Sequence, residues 1–282
     1  MRRRRTLGMA AALPAAMLAA CSEPSAPGGS EEASSAPPDE GQSPSPEPEA
    51  VPGASDPSRP TPVVDRGPGG SGRVALTFDA DLTEYMRAQL ESGEVDTYHN
   101  EELLSYLESE DLAATFFMTG MWMRQYPDET SRIAANPRFE LANHTFEHEA
   151  FTSDCYGLDY EDEPEAMRED VESTFDVMEE FGGNQTRYFR FPGLCHDEAA
   201  LQALQPLGLT VVDGDVVSGD PFAEAAQPIV DAVLSRAEAG SVVIMHIGGP
   251  NAPQTHLALP SIVDELRNRG LGFGTLSEVL AD

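Results

Sequence analysis

The chain has 282 residues with 49 acids against 17 bases, a formal charge of −32, and every base is an arginine. That excess repels nucleic acid phosphates and anionic lipid headgroups, which excludes partners held by a basic patch and leaves neutral glycans compatible. The length admits one or two domains. The first seventy residues are poor in large apolar side chains, so one domain of about two hundred residues is expected.

At the N-terminus, Arg2 to Arg5 form a positive region, Leu7 to Ala20 an Ala-rich apolar run, and Leu18-Ala19-Ala20-Cys21 a small-residue cleavage site. The apolar run is shorter than the roughly 20 residues that span a bilayer. Residues 1–20 resemble a bacterial lipoprotein signal, which implies that Cys21 becomes the acylated N-terminus and anchors an exported protein on the outer face of the cell membrane. Arg4-Arg5 also resembles a twin-arginine signal, so the export route stays open. Residues 21–70 consist mainly of Pro, Ser, Gly, Glu and Ala. Such a composition cannot offset its ordering entropy by burial and predicts a disordered tether that its prolines extend.

From residue 71 to 282 apolar strands alternate with amphipathic stretches. Val74 to Phe78, Ala113 to Met118, Phe139 to Ala142, Tyr188 to Phe191, Leu209 to Val212 and Val242 to Met245 read as buried strands. Helices are predicted over Glu101 to Glu108, Met121 to Ala135, Pro164 to Phe181, Glu198 to Leu204, Ala225 to Ala239 and Leu257 to Arg269. Near-continuous apolar strands alternating with helices imply an α/β fold whose parallel sheet is covered on both faces or closed into a barrel. Ligands then gather where the strands end. Asp79, His144, Arg190 and His246 each fall at or just beyond such an end, and one shared pocket explains this.

Asn143-His144-Thr145-Phe146-Glu147-His148 spaces two imidazoles four residues apart. On one face of a helical turn their ring nitrogens would converge on a cation. Cys155 and Cys195 lie in what reads as an exported domain and are expected to pair, the other reading being two buried free thiols. His99, His196 and His256 read as surface or loop residues, and Trp122 as core.

Val74-Ala75-Leu76-Thr77-Phe78-Asp79, His144 to His148, Arg190-Phe191-Pro192-Gly193, Asp215 to Asp220 and Val242 to His246 resemble, in that order, the five motifs of polysaccharide deacetylases with a NodB homology domain (carbohydrate esterase family 4). The resemblance spans residues 71–282, and Leu257 to Leu280 looks like the family's last helix, final strand and closing helix. It implies a deformed (β/α) barrel with a divalent metal that hydrolyses acetyl groups from glycans. Carried over, His144 and His148 are metal ligands, Asp79 the general base and His246 the general acid. Arg190 orients Asp79, and Asp220 favours the protonated form of His246. Phe191, Pro192, Gly193, Phe222 and Met245 would line the substrate pocket. Neutral imidazoles suit Zn²⁺, with Co²⁺ or Ni²⁺ as replacements.

Three positions depart from the family. Its second motif aspartate, a metal ligand, is Ala80 here. Either Asp81 supplies that ligand, or Asp79 ligates and Asp81 acts as base. Pro221 stands where the family often has a Trp in the acetyl pocket, leaving Phe222 as the apolar wall. Ile247 follows His246 where the family often has Asp. The reading that results is a lipid-anchored deacetylase of cell-wall N-acetylglucosamine units. The alternatives are an O-acetyl esterase of the xylan type, a catalytically silent glycan-binding lipoprotein, and a metal-binding transport component.

Overall fold

The computed structural model describes residues 50–281. The leader, Cys21 and the tether as far as residue 49 lie outside the described residues. The central strand, β2 (Arg73–Ala80), is buried along almost its whole length because it has neighbours on both sides and layers above and below. On one side it pairs with β3 (Ala114–Met118), which continues to β4 (Phe139–Asn143), β5 (Gln185–Phe189), β6 (Thr210–Val212) and β1 (Val63–Val64). On the other it pairs with β8 (Val242–His246), followed by β7 (Val216–Val217), while β9 (Gly272–Gly274) pairs with its first residues. Every pairing is parallel, and the path ends at β1 and β7, which do not pair with each other. The result is a curled, incomplete (β/α) barrel.

Alternation along the strands separates two cores. Val74, Leu76 and Phe78 of β2 point outward, where they pack with Leu103, Leu104 and Leu107 of α2 (Glu101–Ser109) and Ile262 of α8 (Thr255–Asn268). Ala75, Phe117, Ala142, Tyr188, Val212 and Val242 point inward and form the barrel interior together with Leu276 and Val279 of α9 (Leu276–Leu280). These α9 residues pack at the level where the strands begin. Polar side chains are therefore left to the C-terminal strand ends.

Three sequence expectations need correction. Met121 to Ala135 is two helices, α3 (Gly120–Gln125) and α4 (Pro127–Ala135), because Pro127 lacks the N–H that a continuous helix needs and suits a first helical turn. Residues 84–92 form a helix, α1, that the apolar pattern did not indicate. Thr83 caps it, its hydroxyl accepting from the Met86 N–H. The third concerns the tether, which does not extend to residue 70. Arg187 N donates to Pro52 O at 2.6 Å, Ser55 N to Gly208 O at 2.8 Å and Gly67 N to Gly240 O at 2.8 Å, and β1 adds to the edge of β6. Composition weighs side chains, whereas this segment is held by its backbone on an exposed sheet edge.

Candidate active site

Asp79 and Asp81 are two residues apart at the end of β2, so alternation sends both carboxylates into the barrel mouth while Ala80 turns into the outer core. Both are buried. The spacing that departs from the family motif thus keeps two acids on one face.

Arg190 follows β5 and is wholly buried. Its Nη1 donates to Asp79 Oδ1 at 2.5 Å and to Thr77 Oγ1 at 3.0 Å, and its Nε to Val212 O at 3.1 Å. The guanidinium lies 3.9 Å from the centre of the Phe117 ring. Burying this cation is costly unless it is paired, so the ion pair fixes Asp79. One Asp79 oxygen is taken by Arg190 and the other lies 3.9 Å from His144 Nε2.

The two histidines do not share a helical turn, contrary to the spacing argument. Residues 144–149 are irregular, and Thr145 and His148 adopt left-handed φ values of 66° and 61°. The loop is held from outside itself. Gly120 N and Met121 N donate to Thr145 O and Phe146 O, and Asn143 Oδ1 accepts from Thr145 N. Asp170 of α5 (Pro164–Glu179) accepts from Phe146 N at 2.8 Å. Gly120 leaves room for the Phe146 ring, which would lie 2.2 Å from a Cβ there. His144 Nδ1 pairs with Arg190 O at 2.8 Å, which turns Nε2 toward the acids.

His144 Nε2 lies 3.4 Å and His148 Nε2 3.6 Å from Asp81 Oδ1, and this buried oxygen has no hydrogen-bond partner. An orphaned carboxylate oxygen between two imidazole nitrogens is a costly arrangement for a site meant to stay empty, and it suits a divalent cation. The three donor atoms lie within 4.8 Å of one another.

On the opposite wall, His246 ends β8. Its Nδ1 meets Asp220 Oδ1 at 2.9 Å, while its Nε2 is 3.7 Å from Asp81 Oδ2. Asp220 is buried and accepts from the His246 N–H at 2.7 Å, from Thr255 Oγ1 at 2.7 Å and from Ser218 Oγ at 2.8 Å. Asn251 Nδ2 is 3.4 Å from Asp81 Oδ2. Burial opposes a charge on His246, but Asp220, Asp81 and Asp79 outweigh it and push its pKa up to about 10. Burial pulls His148 down to about 4. His144 is driven the same way by burial, yet Asp79, Asp81 and the Arg190 carbonyl leave it raised. Burial would raise Asp81, but His148, His144 and His246 hold it below the usual carboxylate range.

Asp79, Asp81, His144, His148, Arg190, Asp220 and His246 therefore come together, whereas the expected apolar lining mostly does not. Met245 pairs in register with Phe78 and faces the outer core. Phe191 is buried against Phe151, Phe189 and His196. Alternation next to Arg190 and His246, which face inward, sends these side chains out. Pro192 is buried, and Phe222 is 84% exposed, so it walls no enclosed pocket. Gly193 sits beneath the Cys155–Cys195 disulfide, whose Cα atoms are 5.8 Å apart. Asp170, Ser218, Asn251 and Thr255 were missed from the sequence. Of these only Ser218 stands in a motif, between Asp215 and Asp220, and each acts through a partner at least two residues away.

A profile of the family described as polysaccharide deacetylase matches residues 66–212, more than half of the chain. The chain belongs to the polysaccharide deacetylase family. Among curated relatives it is 26% identical over 206 residues to a bifunctional xylanase/deacetylase of Pseudobutyrivibrio xylanivorans, covering 73% of this chain but only 30% of that one. It is 27% identical over 209 residues to a peptidoglycan-N-acetylglucosamine deacetylase of Bacillus cereus, covering 73% and 87%. Its fold is similar to that of a CE4 family pseudoenzyme from Bacillus anthracis, with a TM-score of 0.61 at 19% identity over 77% of this chain and 68% of that one.

Proposed function

We propose that this deacetylase is a divalent-metal hydrolase that removes acetyl groups from N-acetylglucosamine-type units of an envelope glycan. The observation that carries the reading is the convergence of an orphaned Asp81 oxygen with two imidazole nitrogens, between an Arg-bound acid and an Asp-bound histidine. Asp81, His144 and His148 would hold the cation, with Zn²⁺ favoured by the two-histidine, one-carboxylate donor set and Co²⁺ or Ni²⁺ as substitutes. A bound cation of this kind polarises the acetyl carbonyl and acidifies water, which lowers the barrier to attack on a poorly electrophilic amide.

The remaining steps belong to the chain. Asp79, held by Arg190 through one oxygen, takes the proton from the attacking water with the other. His246 is kept charged by Asp220 and gives a proton from Nε2 to the departing amine. Each transfer is worth about 10²- to 10⁴-fold. Asp220 uses both oxygens on fixed donors, so it stays aligned with the ring and fixes Nδ1 as the protonated nitrogen. Lipid attachment at Cys21 on the outer membrane face would bring this mouth within reach of cell-wall glycan.

A second reading, a silent glycan-binding protein, draws on Ala80 and on the fold shared with a pseudoenzyme. Acetate release from N-acetylglucosamine oligomers and from O-acetylated xylan, with chelation and metal add-back, separates the readings. Metal-restored release from the former supports the proposal, release from xylan alone supports an esterase, and sugar binding without acetate release supports the silent protein.

A further inference from the structure

The loop after His148 carries a residue whose conformation nothing in the fold explains. Cys155 to Leu158 is a tight turn closed by Leu158 N donating to Cys155 O at 2.9 Å, with φ of 53° at Tyr156 and 77° at Gly157. Two positive φ values in succession favour Gly, Asn or Asp at both central places, and a bulky aromatic there is an outlier. Tyr156 is also 83% exposed and belongs to neither core. Backbone strain and an apolar ring in water are both costs, and packing returns neither.

The ring is nevertheless anchored. The preceding residue is tied to Cys195, and a Cβ at Gly193 would meet Cys155 Sγ at 2.7 Å and the Tyr156 ring at 3.1 Å. Tyr156 therefore stands over Gly193, three residues after Arg190, a span of at most about 11 Å. Arg190 O in turn holds His144. An exposed aromatic face thus stands beside the chain that leaves β5, three residues after the carbonyl that holds His144.

We propose that Tyr156 is a platform for a sugar ring of the glycan, stacking on the unit adjacent to the one whose acetyl group enters the site. A flat ring offers the apolar C–H face of a pyranose contact area at small entropy cost, with the phenol hydroxyl left to bond a sugar hydroxyl or water. The strongly acidic chain leaves a neutral polymer as the fitting occupant. This rests on the glycan reading above and deepens it by making Tyr156 a determinant of chain-length preference.

The test is steady-state acetate release from N-acetylglucosamine oligomers of increasing length by wild type and by Tyr156→Gly, Tyr156→Ala and Tyr156→Phe. The expected result for the glycine and alanine variants is a rise of about tenfold in KM on the longest oligomer, with kcat within about twofold and little change on the dimer. Tyr156→Phe should behave as wild type. Tyr156→Gly relieves the positive φ, so its Tm should equal or exceed that of wild type, which separates binding from folding. If Tyr156→Gly keeps wild-type KM on the longest oligomer, the platform is overturned while the deacetylase reading stands. If wild type releases acetate from none of them, both fall.

Discussion

Arg190 and His148 belong to the same cluster of acids and bases but are held in different ways. Arg190 and Asp79 sit at the ends of paired strands, where register and alternation fix their direction, and their partners Thr77 and Val212 are on the same sheet. His144 and His148 sit on an irregular loop with left-handed residues, positioned by α3 and by Asp170, and the Cys155–Cys195 disulfide ties down the chain that follows. The strand half should therefore fail only with the whole fold, whereas the loop half can lose its geometry while the barrel survives.

The largest effect is expected in the strand half. Arg190→Met leaves Asp79 buried without its cation and should cost about 3–5 kcal/mol in urea unfolding. A loss of activity with unchanged stability would show that the Arg190–Asp79 pair does not hold the strand half together. In the loop half, replacing both Cys155 and Cys195 by alanine should cost about 2–4 kcal/mol. The same change should weaken cation affinity in a calorimetric titration of the still-folded protein. Unchanged affinity would show that α3 and Asp170 suffice to hold the loop.

The smallest effect tests the wall between them. The pKa of His246 is raised from its ordinary 6.5 to about 10, so the stability it contributes is fully present below about pH 6.5 and is lost as pH rises through about 10. Asp220→Asn should therefore be most destabilising near pH 6, with the gap to wild type closing toward about pH 10. A gap that widens with pH would reverse the assignment of charge to His246. A cation held by Asp81, His144 and His148 would offset the negative charge of Asp81 that favours protonated His246, so metal-loaded protein should show the transition at lower pH.

The same contrast explains what could be read from the sequence. Strand ends announce themselves by apolar runs that stop at a polar residue, so Asp79, His144, Arg190 and His246 were visible as a set, and with them the parallel α/β layout. The direction of Met245 and Phe191 follows from the same alternation and was misassigned through the motif. Asp170 was invisible because it reads as one acid among many on an amphipathic helix. The folded-on segment at Pro52 to Gly67 was hidden because its attachment combines backbone hydrogen bonds with a few isolated side-chain bonds from Ser55, Thr61 and Arg66, which leave no apolar pattern in the composition.

The central claim is that Asp81, rather than Asp79, completes the cation site with His144 and His148. Elemental analysis of purified wild type, Asp81→Ala and Asp79→Asn tests it most directly. About one divalent ion per chain is expected in wild type and in Asp79→Asn, with most of it lost from Asp81→Ala. Retention in Asp81→Ala together with loss from Asp79→Asn would contradict it.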